Sequence, residues 1–373
     1  MTLDLNPAPR LGPANSTTDE ETGDRTYYFE PYGRLTSVTT AFKAIAKIGL
    51  DIWKTQLAAE AAFIELPTVI TASRVKACDN TNSRCRKTHG WQDRCPRCPC
   101  GDCRACVAKW LADRHFAESA RRSDEGMRVH DVAEWWSMHG EIRPHDDDIK
   151  PYVAAFLAFV EEYGITPESF LMAEGTVINP AEKYAGTCDG LLRFDACATD
   201  SACKLVARQL RFNGEYSSLK TSEAIQKAVR RDKRTVDLLV DWKSREGEGA
   251  SFYPNQALQL SGYRWAPLVR IKGTDVDVPM PDTDGAVIVQ LRPDGVTARL
   301  AVATEQTFQG FLHALGLYTW LSECGPAAVS SHTFTLGRKD QPVTADVEPA
   351  PLKPDPFALI VAARDQQPTD IPF

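Results

Sequence analysis

No stretch of the 373-residue chain approaches the roughly eighteen uninterrupted apolar residues that a membrane span requires. The opening MTLDLNPAPR lacks the apolar core of a secretory leader. Together these absences predict a cytoplasmic protein with no membrane partner. Positive charge is not in excess either: 43 Lys and Arg stand against 50 Asp and Glu, and a formal net charge of −7 argues against a general nucleic-acid coat. No internal repeat is visible.

What remains is an ordinary globular composition, 43% hydrophobic and 25% charged, long enough for one large domain or two modest ones. Charge is unevenly spread. Residues 74–122 carry 12 Lys and Arg against 5 acids, and residues 196–236 carry 9 against 4. Two basic segments in an acidic chain read either as footprints for a polyanion or as solvated surface.

Cysteine is concentrated. Seven of the 11 cysteines fall between Cys78 and Cys106: Cys78, Cys85, Cys95, Cys98, Cys100, Cys103 and Cys106, with His89 as an eighth candidate ligand. Cys-x-x-Cys repeated over so short a span points to metal, because two such thiolates chelate one tetrahedral ion. Eight ligands suit two Zn²⁺, or one with spare thiols; spacing does not settle the pairing. Free buried thiols are a poor alternative, since the run from Cys95 to Cys106 offers few apolar neighbours to bury them.

Periodicity divides the rest. Residues 1–25 are polar and Pro-rich, and are expected to be disordered. Residues 26–73 read as a short strand or turn followed by helices, and residues 74–122 as the Cys-rich module with a helix leaving it. Ser123 is placed to cap a new helix carrying Gly126 and His130, and a further helix runs from about Pro151 to Tyr163 with Gly164 beyond it. FLMAEGTVI, GTCDGLLRF and TVDLLVDWKS have the pattern of strands, YPNQALQLSGYRWA that of a helix, and GAVIVQLRPDGVTARLAV that of a hairpin. Thr304 caps the last long helix, which Gly325 ends. The core thus spans 123–325 with a basic, helical insertion at 196–236. An extension (326–345) and a Pro-rich tail (346–373) follow.

Within TVDLLVDWKS, Asp241 and Lys243 share one strand face and Trp242 takes the other. Opposite charges in an apolar strand are costly unless each has a partner or a task. Asp189 lies in a strand that sheet pairing would bring beside Asp241, and Gln259 and Tyr263 sit four apart on one helical face. Two carboxylates on adjacent strands suit a hard divalent cation, and a nearby lysine would orient an attacking water and offset charge on a phosphate. Asp-x-Lys alone is a weak signal.

The order of the parts is more specific. Gly126-x-x-x-His130, Glu174, Gly186-Thr-Cys-Asp189, Asp241-Trp-Lys243 and Gln259-x-x-x-Tyr263 resemble the RecB-like branch of the PD-(D/E)xK nucleases, which includes CRISPR-adaptation and stand-alone phage recombination exonucleases. The resemblance runs from about Tyr32 to Leu321, outside the Cys-rich insert and the segment between Asp189 and Asp241. It implies an α/β (α+β) restriction-endonuclease-like core, a mixed central sheet flanked by helices. It implies that Asp189, Asp241, His130 and the Trp242 carbonyl hold Mg²⁺ or Mn²⁺, that Lys243 acts on the attacking water, and that Gln259 and Tyr263 position the DNA backbone. Glu174 is either a further catalytic acid or a solvated strand carboxylate. Arg230, Arg231, Lys233 and Arg234 of the insertion either contact phosphates or decorate a loop. Some relatives carry an iron–sulfur cluster on one upstream cysteine and three beyond the Gln-x-x-x-Tyr helix. Here only Cys324 lies beyond it, which favours zinc.

The chain stops at Asp370-Ile371-Pro372-Phe373, which resembles the tip of bacterial single-stranded-DNA-binding proteins. An apolar Pro-Phe with a terminal carboxylate suits a small basic-rimmed pocket, so the tip implies binding to host repair proteins that accept such tails. The leading expectation is a metal-dependent DNase, an exonuclease in recombination, repair or end processing of phage or bacterial DNA. Its rivals are an inert DNA-binding adaptor working through the zinc module and tail, and a structure-specific endonuclease in defence or counter-defence.

Overall fold

Val236, Leu238, Val240 and Trp242 alternate with Leu239, Asp241 and Lys243, and the period of two sends the sets to opposite faces of a strand spanning Thr235–Ser244. The computed structural model describes residues 16–19, 23–45, 48–67, 69–70, 107–108, 111–246, 252–325 and 328. It places that strand inside a ten-stranded mixed, mostly antiparallel sheet. In chain order the strands are β1 (Ser16–Thr18), β2 (Arg25–Phe29), β3 (Gly33–Ser37), β4 (Phe170–Asn179), β5 (Tyr184–Asp195), β6 (Thr235–Ser244), β7 (Leu268–Arg270), β8 (Asp277–Pro279), β9 (Gly285–Arg292) and β10 (Gly295–Ala301). The α-helices among the described residues are α1 (Val38–Ala41), α2 (Ile48–Ile64), α3 (Arg114–His139), α4 (Lys150–Tyr163), α5 (Asp200–Phe212), α6 (Ser222–Arg231), α7 (Pro254–Arg264) and α8 (Glu305–Glu323). By internal packing the chain divides into Met1–Leu315 and Gly316–Phe373.

The first unit is layered, because β6 buries apolar side chains on both faces of the sheet, although one face also carries Asp241 and Lys243. One face carries Val240 and Trp242 into a core with α3, α4, α5 and α6, centred on Phe156, Phe159 and Val206. The other carries Leu239 against α1, α7 and the start of α8, through Leu260, Tyr263 and Phe311. Tyr27, Phe29 and Leu35 make a smaller cluster with Ile178 and Ala185. No helix among the described residues is long and apolar enough to cross a membrane.

Strand β5 sets the topology. β4 lies antiparallel along one of its edges. Its other edge is shared: β3 pairs parallel at Tyr184 and Ala185, and β6 antiparallel from Gly190 to Asp195. Residues 186–189 therefore lie between two different partners. β6 continues outward to a parallel β9, and β9 to the hairpin strand β10.

Two sequence expectations change. Ser123 caps nothing: α3 runs unbroken through it. Arg121–Glu118, Arg121–Glu125, Arg122–Glu118 and Arg128–Asp124 pairs, spaced three or four residues, staple the turns on either side of the serine. The short strand or turn expected ahead of the helices in residues 26–73 is a pair of strands, β2 and β3. Inside the stretch expected to be disordered, Ser16–Thr18 pairs with β2, and Thr17 and Thr26 hydroxyls meet at 3.2 Å. Threonine and tyrosine suit a pleated edge. The basic segment 196–236 carries two helices, in keeping with the helical insertion expected there: Thr199 and Thr221 cap α5 and α6, whose Val206, Leu210, Ile225 and Val229 are buried.

Candidate metal centre at the β5–β6 fork

Ladder pairing between β5 and β6 stops at Gly190↔Val240. One step further the register would set Asp189 opposite Asp241. Instead the Trp242 backbone N–H donates to Asp189 Oδ2 at 2.7 Å, so a carboxylate stands in for a backbone acceptor and the strands part. On the other side of β5, the register passes from Ala173↔Gly190 to Gly175↔Cys188 and skips Glu174. Glu174 has φ +47°, a left-handed conformation that costs a non-glycine residue about 1–3 kcal/mol. Three acids thus occupy successive register positions on β4, β5 and β6.

Helix α3 brings the nitrogen donor. His130 Nδ1 lies 3.3 Å from Glu174 Oε1 and 3.6 Å from Asp189 Oδ1. Its Nε2 lies 3.3 Å from the Trp242 carbonyl. Donor atoms of His130, Glu174 and Asp189 all fall within 4.8 Å of one another. Adjacent ligands of an octahedral ion with bonds near 2.1 Å are about 3 Å apart, so the three can converge on one cation with little movement.

Asp241 sits behind this group and is 1% exposed. Its Oδ1 accepts from Lys243 Nζ at 2.6 Å and from Gln259 Nε2 at 3.3 Å, while its buried Oδ2 has no partner. A buried carboxylate oxygen without a donor is the kind of group a cation satisfies. Gln259 also donates to the Tyr263 hydroxyl at 3.0 Å, joining the two α7 residues into one hydrogen-bonded unit.

Electrostatics follow the geometry. Burial would lower His130, but the Asp189 charge and the Glu174 hydrogen bond override it and hold the imidazole up, at about 9. Burial, reinforced by Asp189, pushes Asp241 up to about 6 against the pull of Lys243. Asp189 is likewise raised, by burial and then Glu174, against His130 and Lys243. Lys243 stays above its usual value despite burial, because Asp241 and Asp189 favour the ammonium. Raised pKa values on neighbouring buried acids mark a place where added positive charge would be favoured.

These groups open on a cavity of about 590 Å³ lined by His130, Glu174, Asp189, Lys243, Gln259 and Tyr263. Its wall also holds residues for which no role was expected. Thr176 and Thr187 are two of them, and Lys272, ion-paired to the buried Glu134, is a third. Gly186 lines up behind Tyr263: a Cβ there would lie 2.6 Å from Tyr263 Cε1 and 3.0 Å from Val38 Cγ2. Gly186→Ala should therefore cost about 1–3 kcal/mol in urea unfolding and displace the Tyr263 hydroxyl from Gln259.

The basic residues proposed for phosphate contact lie elsewhere. Arg230 is paired with Asp200, Arg231 with Asp232, and Arg234 with Glu215. Lys233 occupies a left-handed position in the turn before β6. At about 3.3 Å per residue, the start of β6 is some 20 Å from Asp241. The eight candidate zinc ligands, Cys78 to Cys106 with His89, and the Asp370–Phe373 tip lie outside the described residues. The described cysteines Cys188, Cys197, Cys203 and Cys324 form no disulfide. Compared with family models and with curated proteins, the sequence matches none.

Proposed function

We propose that this chain is a divalent-cation-dependent deoxyribonuclease with a restriction-endonuclease-like core of the RecB-like kind, hydrolysing phosphodiester bonds as an exonuclease in DNA-end processing, recombination or repair. The observation that carries the reading is the set of three in-register acids at the β5–β6 fork, faced by His130 and backed by Lys243. The donor set fits Mg²⁺ or Mn²⁺. His130, Glu174 and Asp189 would hold the ion; Asp241, expected from the resemblance to be a ligand, stands outside that donor group, with its Oδ2 unpartnered behind it. Such an ion, when bound, neutralises charge on a phosphate and acidifies water.

The chain's own groups do the rest. The Trp242 carbonyl, expected from the resemblance to be a ligand, accepts from His130 Nε2 and so aims Nδ1 at the acids. Lys243, favoured as an ammonium by Asp241 and Asp189, orients the attacking water and offsets charge on the phosphate. Gln259, bonded to both Asp241 and Tyr263, fixes the carboxylate from the α7 side.

The test is incubation of linear and circular DNA, single- and double-stranded, with Mn²⁺ and with EDTA. Loss of linear DNA only, abolished by EDTA, is expected. Cut circles would move the reading to an endonuclease, and no cleavage of any substrate would leave a non-enzymatic DNA-binding adaptor.

A further inference from the structure

Helix α3 lies against β6 in a regular way. Arg122 meets Glu246 at 3.2 Å, a Cβ on Gly126 would lie 3.4 Å from Ser244 Oγ, and His130 meets the Trp242 carbonyl at 3.3 Å. Steps of four along the helix match steps of two along the chain of β6. The two advance by nearly equal lengths, about 6 Å and about 6.6 Å, so the contacts stay in phase over three rungs. The middle rung is glycine on one side and the uppermost is His130. The anchor is the lowest rung, Arg122 against Glu246, nearest the start of α3.

That anchor is built as a clamp. Glu246 takes Arg121 on Oε1 at 2.7 Å and Arg122 on Oε2 at 3.2 Å. Glu118, on the same helix, accepts from both guanidiniums at 2.7–2.9 Å and fixes where they point. Glu246 itself follows the last ladder bond of the strand, Arg245 N–H to Leu291 O at 2.9 Å, so its backbone is tied to the sheet. We propose that Glu246, with Arg121 and Arg122, is a positioning clamp that sets the height of α3 on β6 and so places the His130 imidazole against Glu174, Asp189 and the Trp242 carbonyl. Neither arginine touches the cation donors; they act through the helix.

Exposed ion pairs contribute only about 0–1 kcal/mol each, so the clamp matters little for stability. Paired arginine–carboxylate bonds fix geometry, and shifts of about 1 Å at a site can cost 10²-fold in rate. The role in catalysis rests on the proposed function; the placement of His130 does not. Asp237 and Arg193 form a matched two-bond pair at 2.7 and 2.8 Å near the opposite end of β6, and serve as the control.

In Glu246→Gln the His130 imidazole signals of the cation-free protein should shift by NMR. Mn²⁺ Kd should rise by about 10–100-fold, as when the outer partner of a ligand is lost. The rate constant kcat should fall with KM for DNA unchanged, and Glu246→Asp should recover most of the loss. Asp237→Asn should leave all of these at wild-type values. Unmoved His130 signals and Mn²⁺ affinity in Glu246→Gln, or equal changes in Asp237→Asn, would overturn the clamp. A wild-type protein that neither binds Mn²⁺ nor cleaves DNA would end the proposed function, while the His130 signals would still decide the clamp.

Discussion

Lys243→Ala is expected to slow Mn²⁺-dependent DNA cleavage by about 10²- to 10⁴-fold, the range for a positioned group acting on a reacting proton or charge. Lys243 Nζ lies 2.6 Å from Asp241 Oδ1, and its side chain is 28% exposed, reaching the cavity from the strand. Without it Asp241 keeps only the Gln259 amide, at 3.3 Å. The carboxyl, already raised to about 6 by burial with Lys243 present, must rise further. The sign of the stability change follows. A buried acid with a raised pKa binds its proton more tightly when folded, so its share of stability is present at low pH and falls as pH climbs from its ordinary value through the raised one. In the cation-free variant, with Asp189 and His130 still facing Asp241, stability should match wild type near pH 5. It should drop by about 1–3 kcal/mol near pH 8, where the unpaired buried carboxylate is ionised. Asp241→Asn combined with Lys243→Met should regain the stability but not the rate. The measurements are single-turnover cleavage at saturating Mn²⁺ and urea unfolding at the two pH values. A rate within a few-fold of wild type would remove Lys243 from the chemistry.

Strands β4, β5 and β6, the α7 helix and the β9–β10 hairpin were legible because their residues repeat with the period of their element. Sequence order placed His130, Glu174, Asp189, Asp241 and Lys243 in one constellation. What it could not reveal was the fork. Whether pairing stops at Gly190↔Val240 depends on the Asp189 carboxylate taking the Trp242 N–H, a contact across 53 positions. Glu174 was ambiguous for a related reason. Its left-handed φ falls where the β4–β5 ladder skips a residue, and a Glu-Gly pair carries no such instruction. Short strands such as β1 and β7, three residues each, are defined by their partners and not by any period of their own. The basic run before β6 looked like a phosphate grip because composition counts charges without seeing Asp200, Glu215 and Asp232 beside them. Ser123 looked like a cap because the i,i+4 acid–base pairs that carry α3 through it compete with capping only once the helix exists.

Trp242→Ala should have the largest effect on stability, about 3–5 kcal/mol by urea unfolding, the usual loss for a large buried aromatic. The indole is 2% exposed and faces away from Asp241 and Lys243. Its ring packs edge-on against Phe156 and Phe159, both at 5.4 Å, and Phe156 in turn meets Trp136 of α3 at 5.5 Å. Each such aromatic pair adds about 0.5–1.5 kcal/mol to the area term, and neither α4 ring can move into the space without leaving its other neighbours. Against a total of about 5–15 kcal/mol for a typical domain, the loss is large. Yet Trp242 touches the proposed site only through its backbone, whose N–H binds Asp189 and whose carbonyl binds His130, and alanine keeps both groups. Below its lowered unfolding midpoint the variant should still bind Mn²⁺ and cleave DNA within about tenfold of wild type, in contrast to Lys243→Ala, one residue away. A stability loss under about 1 kcal/mol would mean that the aromatic cluster repacks. A cleavage defect as deep as that of Lys243→Ala would mean that the indole, and not the strand backbone, holds the fork open.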